Sequence, residues 1–189
     1  MRPTASKTIF TVGHSTRSLD DFIALLRAHG VRAVADVRLI PRSRRFPHFN
    51  DDALAVSLPK AGIAYHPFKT LGGRRRPLRD SINMAWRNES FRGYADFMQT
   101  PAFVEALRPL MELAGQTPTT TMCAEAVPWR CHRSMISDAL IVRGWTVMDI
   151  MSQTSAVVHK LTPFAVVRGT TITYPAVLDQ ETLFDGGGT

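Results

Sequence analysis

The 189-residue sequence is poor in several features that mark common protein classes. No stretch approaches the ~20 apolar residues of a membrane span, and residues 1–7 contain no apolar segment of signal-peptide length. We therefore predict no membrane partner and a cytoplasmic location. The only two cysteines, Cys123 and Cys131, are too few for a disulfide framework. In the cytoplasm, such residues are expected to be thiols, ligands or catalytic groups.

Several catalytic and nucleotide-binding motifs are also missing. The chain has neither a Walker loop nor a Gly-x-Gly-x-x-Gly segment, which argues against the usual phosphate loops of triphosphate and dinucleotide sites. It has no Gly-x-Ser-x-Gly elbow, so serine hydrolysis is not favoured. The tyrosine-phosphatase loop requires five residues between cysteine and arginine. Trp129 occupies the position that the arginine would take, and Arg130 comes one residue late.

What the sequence has in excess is positive charge. Lysine and arginine number 23 against 16 aspartate and glutamate, a formal net charge of +7. This excess favours an anionic small molecule or nucleic acid as partner, although an ordinary solubilising surface charge is the plainer explanation. Arginines cluster at 42–45 and at 74–76. Such clusters bind phosphates in some proteins and are simply solvated in others.

Strand and helix signals alternate along the chain. A β-branched run at 8–12, a capped amphipathic helix at 18–29 and an apolar run at 31–37 predict a β-α-β unit with parallel strands. Further strands are predicted at 63–65, 119–122 and 145–150, and further helices at 51–58, 91–99, 101–114 and 134–142. We predict a single α/β domain over residues 8–175, with a mostly parallel five-stranded sheet flanked by helices and a C-terminal β-hairpin at 166–174. Residues 1–7 and 176–189 are predicted to be flexible ends.

Polar residues follow three of the predicted strands. His14 and Ser15 follow the first, Asp36 and Arg38 end the second, and Cys123 and Glu125 end the fourth. Because the carboxyl ends of parallel strands share one edge, we expect these residues to meet in a common cleft there. The plainer alternatives are that they cap turns, or that Asp36 pairs with Arg38.

Residues 123–133 carry the richest chemistry of the chain. Cys123 and Glu125 are two apart and are expected to project to one face, so that a thiol and a carboxylate share a pocket. Cys131, His132 and Arg133 open the next helix, whose free N–H groups with Arg130 or Arg133 would form an anion site and lower a nearby thiol pKa. The alternative is that Cys123 is a buried apolar residue. Cys123, Glu125, Cys131 and His132 are all possible zinc ligands, but Cys-x-Glu followed by Cys-His matches none of the usual zinc-ligand spacings. We therefore predict no cofactor and leave a metal open as the alternative.

Seven short segments together resemble the signature of one family. They are Gly13-His14-Ser15, Asp36-Val37-Arg38, Pro41 with Ser43-Arg44, Gly62-Ile63-x-Tyr65, Leu71-Gly72-Gly73, Phe91-x-Gly93-Tyr94-Ala95, and Cys123-Ala-Glu125 with Cys131-His132-Arg133. This pattern is similar to that of the family called domain of unknown function 488, over residues 8–175. Pro59, inside a predicted helix, is the one departure. The resemblance implies a site at these residues but implies no reaction.

The leading hypothesis is an enzyme, a hydrolase or transferase, that acts on a phosphate-bearing, nucleotide or nucleic-acid substrate. Its predicted catalytic residues are Cys123 as nucleophile, Glu125 or Asp36 for proton transfer, and His14. The predicted substrate-binding residues are Ser15, Arg38, Arg44, Gly72, Gly73, Cys131, His132 and Arg133. Acid–base chemistry by Glu125 is the alternative mechanism. A non-catalytic nucleic-acid-binding module and a thiol sensor that bridges Cys123 to Cys131 are the alternative functions.

Overall fold

The computed structural model describes residues 7–176. The predicted flexible ends therefore lie outside the described residues except for Lys7 and Ala176. The described strands are β1 Thr8–Gly13, β2 Ala33–Asp36, β3 Ala64–Pro67, β4 Thr119–Cys123, β5 Thr146–Ser152, β6 Ser155–Val158, β7 Val166–Arg168 and β8 Thr171–Thr173. The helices are α1 Leu19–Ala28, α2 Asp51–Lys60, α3 Glu89–Met98, α4 Pro101–Gln116 and α5 Arg133–Ile141.

The predicted fold class, α/β with a mostly parallel sheet, flanking helices and a C-terminal hairpin, is confirmed. The sheet has six strands in the order β3-β2-β4-β1-β5-β6, and β7 pairs with β8 separately. Among the strands that residues 7–176 contribute to this sheet, only β6 runs antiparallel to its neighbour, β5. This sixth strand is the difference from the prediction. Its turn, Gln153-Thr154, lacks the glycine or asparagine that usually signals a two-residue hairpin turn.

The first helix shows how local sequence fixes an element. Ser18 caps α1, because its hydroxyl accepts a hydrogen bond from the Asp21 backbone N–H at 3.1 Å and donates one to the Asp21 carboxylate at 2.7 Å. Gly30 follows the helix with φ of 67°, the left-handed conformation that a helix end favours in glycine. Pro59 lies in the last turn of α2, which ends one residue later as proline requires.

Helices cover both faces of the sheet. Helices α1 and α2 pack on one face around Phe22, Leu54 and Leu58. Helices α3, α4 and α5 pack on the other face around residues such as Phe103 and Ile136. Neighbouring residues of each strand contribute to opposite faces, as the pleat requires.

The connections place a crevice between β1 and β4. These two strands are parallel neighbours, with Gly13 opposite Cys123 at their carboxyl ends. From there β1 continues to α1 on one face, whereas β4 continues to α5 on the other face. Where neighbouring strands diverge in this way, the loops separate and leave a cleft in which α/β proteins bind ligands.

Candidate functional site

The thiol of Cys123 lies at this crevice, at the last position of β4. The backbone N–H of His14 donates to the Cys123 carbonyl, and that of Ser15 donates to the Ala124 carbonyl, both at 2.9 Å. A Cβ on Gly13 would collide with the carbonyl of Glu125. Gly13 therefore allows the loop after β4 to lie directly against the end of β1.

Cys131 and His132 lie at the same crevice as Cys123. A 3-10 turn over Pro128–Arg130 reverses the chain, and Cys131 donates its backbone N–H to the Pro128 carbonyl at 2.9 Å. The two sulfur atoms and one ring nitrogen of Cys123, Cys131 and His132 all lie within 4.8 Å of one another, and all three residues are buried. We call these three residues the thiol cluster.

The thiol cluster perturbs its own protonation. The hydrogen bond from the Cys131 thiol, helped by the charge of Arg133 and by backbone N–H groups, lowers the pKa of Cys123 to about 6 against the cost of burial. The same hydrogen bond raises the pKa of Cys131. Burial lowers the pKa of His132 to about 4. These shifts favour the thiolate form of Cys123 beside the protonated thiol of Cys131 and the neutral form of the His132 imidazole.

A pocket of about 310 Å³ opens over the thiol cluster. Its walls combine basic, acidic, apolar and thiol groups from five segments of the chain. The lining residues are Arg38, Leu39, Ile40, Gly73, Arg74, Ser90, Phe91, Cys123, Ala124, Glu125, Arg130, Cys131 and His132. Concave sites with convergent polar groups and perturbed pKa values are the usual form of an active site.

The guanidinium of Arg38 is held from three sides. Its Nε and Nη2 donate to the two carboxylate oxygens of Asp36 at 2.8 and 2.6 Å, and Nη2 also donates to the Phe49 carbonyl at 2.8 Å. Tyr65 donates its hydroxyl to the same carboxylate at 2.7 Å. Asp36 therefore forms a buried ion pair with Arg38, which was the plainer alternative for this residue. It does not line the pocket.

His14 lies behind Arg38. Its Nδ1 is 2.9 Å from the Ser15 carbonyl, which can only accept, so Nε2 of the neutral ring is the acceptor for Arg38 Nη1 at 3.3 Å. The ring stacks on Phe49 with centroids 4.1 Å apart. Burial, with the charge of Arg38, lowers the pKa of His14 to about 4. His14 and Asp36 therefore contact the pocket only through Arg38.

Arg133 is fully buried beneath the thiol cluster. It donates to the Thr11 hydroxyl at 2.6 Å and to the Glu125 carbonyl at 2.7 Å, so it ties β1 to the loop after β4. Within residues 7–176 it forms no ion pair with a carboxylate. Its charge acts on the thiols from below, and its side chain is not part of the pocket wall.

The structure gathers six of the twelve predicted site residues around the pocket. They are Arg38, Gly73, Cys123, Glu125, Cys131 and His132. Gly72 packs beneath Leu39, whose Cβ would lie 2.7 Å from a Cβ at that position. Arg44 is exposed and outside the pocket lining, and Ser15 forms the turn after β1 with a positive φ of 53°.

Glu125 reaches the pocket in a different way from the one predicted. The strand ends at Cys123, so Glu125 belongs to the following loop and is exposed. The alternation of a strand therefore does not explain why its side chain and the Cys123 thiol line the same cavity. The two side chains line the same cavity because Gly13 and the Ser15–Ala124 hydrogen bond set the conformation of the loop.

Sequence reasoning missed the wall formed by Arg74, Ser90 and Phe91. Ser90 and Phe91 are in the first turn of α3, which Asn88 caps. The backbone of Arg75 and Arg76 packs so closely on Gly93 of α3 that a Cβ there would collide with it. The sequence signal for this wall was the Gly72-Gly73 pair before the arginines, because residues without a Cβ allow this loop to pack closely against Leu39 and His132.

Arg74 has a positive φ of 61°, an unfavourable conformation for a residue with a Cβ. Among the described residues, only Ser15 and Arg74 combine a side chain with a positive φ, and both lie in loops at this edge of the fold. Strained backbone of this kind concentrates at functional sites, which supports a binding role for the Arg74 loop.

Comparison with known proteins adds a family and no activity. No curated protein and no solved structure matches the chain significantly. None of the helices between residues 7 and 176 has the length and apolar character needed to cross a membrane. A protein-family profile matches residues 18–140, which include Asp36, the Gly72-Gly73 pair and the thiol cluster and exclude His14 and Ser15. The chain therefore belongs to the family described as Domain of unknown function DUF488.

Proposed function

We propose that this protein is an enzyme, a hydrolase or transferase, that acts on a phosphate-bearing substrate such as a nucleotide or a nucleic-acid end. The observation that carries the proposal is the pocket at the ends of β1 and β4, in which arginines surround a thiol cluster and a carboxylate. Such a combination serves to bind an anion and to move a proton beside it.

The arginines supply the anion-binding capacity. Arg74 and Arg130 are exposed at the pocket wall, and neither guanidinium group forms a hydrogen bond or an ion pair within residues 7–176. Their guanidinium groups are thus available for phosphate oxygens, which they bind in a bidentate manner. Arg133 adds fixed positive charge below the floor, whereas the charge of Arg38 at the wall is balanced by Asp36.

The size of the pocket limits what it encloses. A volume of about 310 Å³ is at the lower end of the range for small-molecule sites. A phosphate group with a neighbouring ring fits this volume, whereas the rest of a larger substrate would remain outside. Phe91 and Ile40 provide an apolar wall against which a sugar or base can pack.

Glu125 is the proton-transfer group in this proposal. Its carboxylate takes the proton of a water or acceptor hydroxyl, whose oxygen then bonds to phosphorus as the bond from phosphorus to the leaving oxygen breaks. The proton passes from Glu125 to that leaving oxygen, so that charge and atoms balance. Asp36 and His14 act as positioning residues for Arg38, and Cys123 lies at the floor of the pocket.

The experiment is a turnover screen of purified protein on nucleoside monophosphates and diphosphates, an aryl phosphate, and short single- and double-stranded oligonucleotides. For the substrate found, we expect Glu125→Gln to reduce kcat at least about 100-fold. Glu112→Gln, an equal charge change on an exposed residue of α4, is the matched control and should leave kcat unchanged. Equal kcat for Glu125→Gln and wild type would refute the role of Glu125.

The same screen separates catalysis from simple nucleic-acid binding. A binding module predicts affinity that falls steeply with salt and that depends on the exposed Arg44 as much as on Arg130. The enzyme proposal predicts that Arg130→Gln weakens substrate binding and that Arg44→Gln, outside the pocket lining, does not. Salt-dependent oligonucleotide binding without turnover, lost equally in both variants, would replace the enzyme proposal with the module.

A further inference from the structure

We propose that the thiol cluster binds a single divalent transition-metal ion, zinc by its chemistry, through the two sulfur atoms of Cys123 and Cys131 and the Nδ1 atom of His132, with a fourth coordination position open to the pocket. Two thiolates and one imidazole form a donor set that suits zinc, and three protein ligands with an open position are typical of catalytic zinc sites.

The distances are close to those of a zinc site. Bonds of roughly 2.3 Å to sulfur and 2.0 Å to nitrogen in a tetrahedron place the ligand atoms about 3.3 to 3.8 Å apart. Here Cys131 Sγ lies 3.5 Å from His132 Nδ1, and every pair in the cluster is within 4.8 Å. Side-chain movements of about 1 Å or less therefore complete the site.

The ring of His132 has the orientation and the tautomer that a ligand needs. Its Nε2 is 3.0 Å from the carbonyl of Val37 at the end of β2. A carbonyl can only accept, so Nε2 carries the hydrogen and the neutral ring leaves its lone pair on Nδ1, which faces the sulfur atoms. Ligating histidines are usually held by a hydrogen bond of this kind from the other ring nitrogen.

The fold also explains how adjacent residues can share one ion. Cys131 is extended, with φ of −142° and ψ of 150°, whereas His132 is helical, with φ of −58° and ψ of −11°. The change of backbone conformation between them turns their side chains toward each other. A spacing that matches no common zinc motif thus becomes a compact donor set only in three dimensions.

The surroundings keep the site open. All three residues line the pocket, so a bound ion would face the cavity rather than be enclosed by protein. Gly73 contributes to this, because a Cβ at Gly73 would lie 3.0 Å from Nδ1 of His132. Arg133 lies beneath without a carboxylate partner among the described residues, and a metal-bound hydroxide or substrate oxygen would offset its charge.

The ion assigns Cys123 a role that differs from the predicted one. As a ligand its thiolate holds the metal and does not attack the substrate. The part that the ion would play in the reaction rests on the proposed function: it would act as a Lewis acid that lowers the pKa of a bound water, and Glu125 would accept the proton of that water and pass it to the leaving oxygen as the water oxygen bonds to phosphorus. Metal binding itself does not depend on that function.

The test is elemental analysis of the full-length protein expressed with added zinc, followed by cobalt(II) titration of the chelator-treated protein. We expect about one zinc ion per chain and, with cobalt, the strong visible absorption of tetrahedral coordination together with thiolate-to-cobalt charge transfer. Cys131→Ser and His132→Asn should each lower the zinc content at least about tenfold. His66→Ala, an imidazole outside the site, is the control and should keep it.

Less than about a tenth of an ion per chain in wild-type protein, with no charge-transfer absorption on cobalt addition, would overturn the site. A disulfide between Cys123 and Cys131 in freshly purified protein would overturn it in favour of the thiol sensor. Because cobalt spectra need only wild-type protein, a variant that fails to fold does not weaken the test. Metal without any turnover would refute the proposed function alone, and turnover without metal would refute this site alone.

Discussion

Two clusters of buried ionisable groups lie on the same face of the sheet and differ in how their charges are balanced. In the first, which we call the Asp138 network, His159 lies between Asp149, at 2.9 Å, and Asp138, at 3.7 Å. Tyr174 donates to Asp138 at 2.9 Å. The second is the thiol cluster, whose sulfur and nitrogen atoms are all potential donors to a metal and face a cavity.

The difference shows how buried charge can be interpreted. The Asp138 network places one imidazole between two carboxylates inside the protein, and Asp138 also accepts hydrogen bonds from the Thr162 backbone N–H and the Tyr174 hydroxyl, so the network has the character of a structural brace. The thiol cluster instead places two thiols and an imidazole, all potential metal ligands, beside a pocket. A buried cluster of potential ligands that lines a pocket therefore indicates function more strongly than a perturbed pKa alone does.

Removal of an acid from the Asp138 network should have the largest effect. Asp138→Ala leaves the Tyr174 hydroxyl and the Thr162 backbone N–H without their acceptor and removes one of the two carboxylates beside His159, so we expect the free energy of unfolding to fall by about 3 to 5 kcal/mol. Urea denaturation followed by circular dichroism measures this change. A loss below about 1 kcal/mol would mean that the network does not brace the fold and that the contrast with the thiol cluster is wrong.

The pH dependence of stability should show the same network. The hydrogen bond to Asp149 and the nearby charge of Asp138 outweigh burial and raise the pKa of His159 from 6.5 to about 9. Because the folded state holds this proton more tightly, the contribution is complete below pH 6.5 and is lost as pH rises to about 9, a decline of roughly 3 kcal/mol. His159→Gln should flatten this part of the profile in urea melts at stepped pH. An unchanged slope in that variant would assign the decline to other groups.

The addition of one methyl group beside the thiol cluster tests whether the free space next to His132 matters for function. Gly73→Ala places a Cβ 3.0 Å from Nδ1 of His132, and we expect turnover to fall by about tenfold while the unfolding free energy changes by less than about 1 kcal/mol. Gly115→Ala is the matched control, because a Cβ there meets nothing within 4 Å. Equal turnover in both variants would show that space beside Nδ1 does not matter.

The smallest predicted effect concerns the pocket wall. Arg74→Gln and Arg130→Gln should each weaken the binding of inorganic phosphate by about 3- to 10-fold, since each removes one charged hydrogen-bonding group of several. Arg87→Gln removes the same charge from an exposed residue outside the pocket. Calorimetric titration compares the three variants. The same loss in the Arg87 variant would indicate a general effect of net charge rather than a site.

The fold was largely predictable because its signals are local. The capping box of Ser18 and Asp21 marks α1, Thr100-Pro101 opens α4, and the parallel sheet follows from the alternation of strands and helices. The strand β6 was not predicted, because its turn residues are not typical of a hairpin and its conformation depends on pairing with β5. Its partner β5 fixes it through tertiary contacts that no short window of sequence contains.

The site was predictable in position and less so in arrangement. The rule that strand ends converge places Cys123 and Arg38 at one edge, and both line the pocket. The rule cannot show that Asp36 and Arg38 satisfy each other, or that a change of backbone angle at Cys131 and His132 brings their side chains together. These features depend on backbone angles and side-chain packing that residue spacing does not encode.

We propose that this protein binds phosphate in the pocket over the thiol cluster. Anomalous diffraction of a crystal soaked in tungstate, an oxyanion of similar shape that scatters strongly, would locate the binding site. We expect one ordered tungstate in the pocket, in contact with Arg74 or Arg130. Tungstate bound only at the exposed arginines of residues 42–45, with the pocket empty, would contradict it.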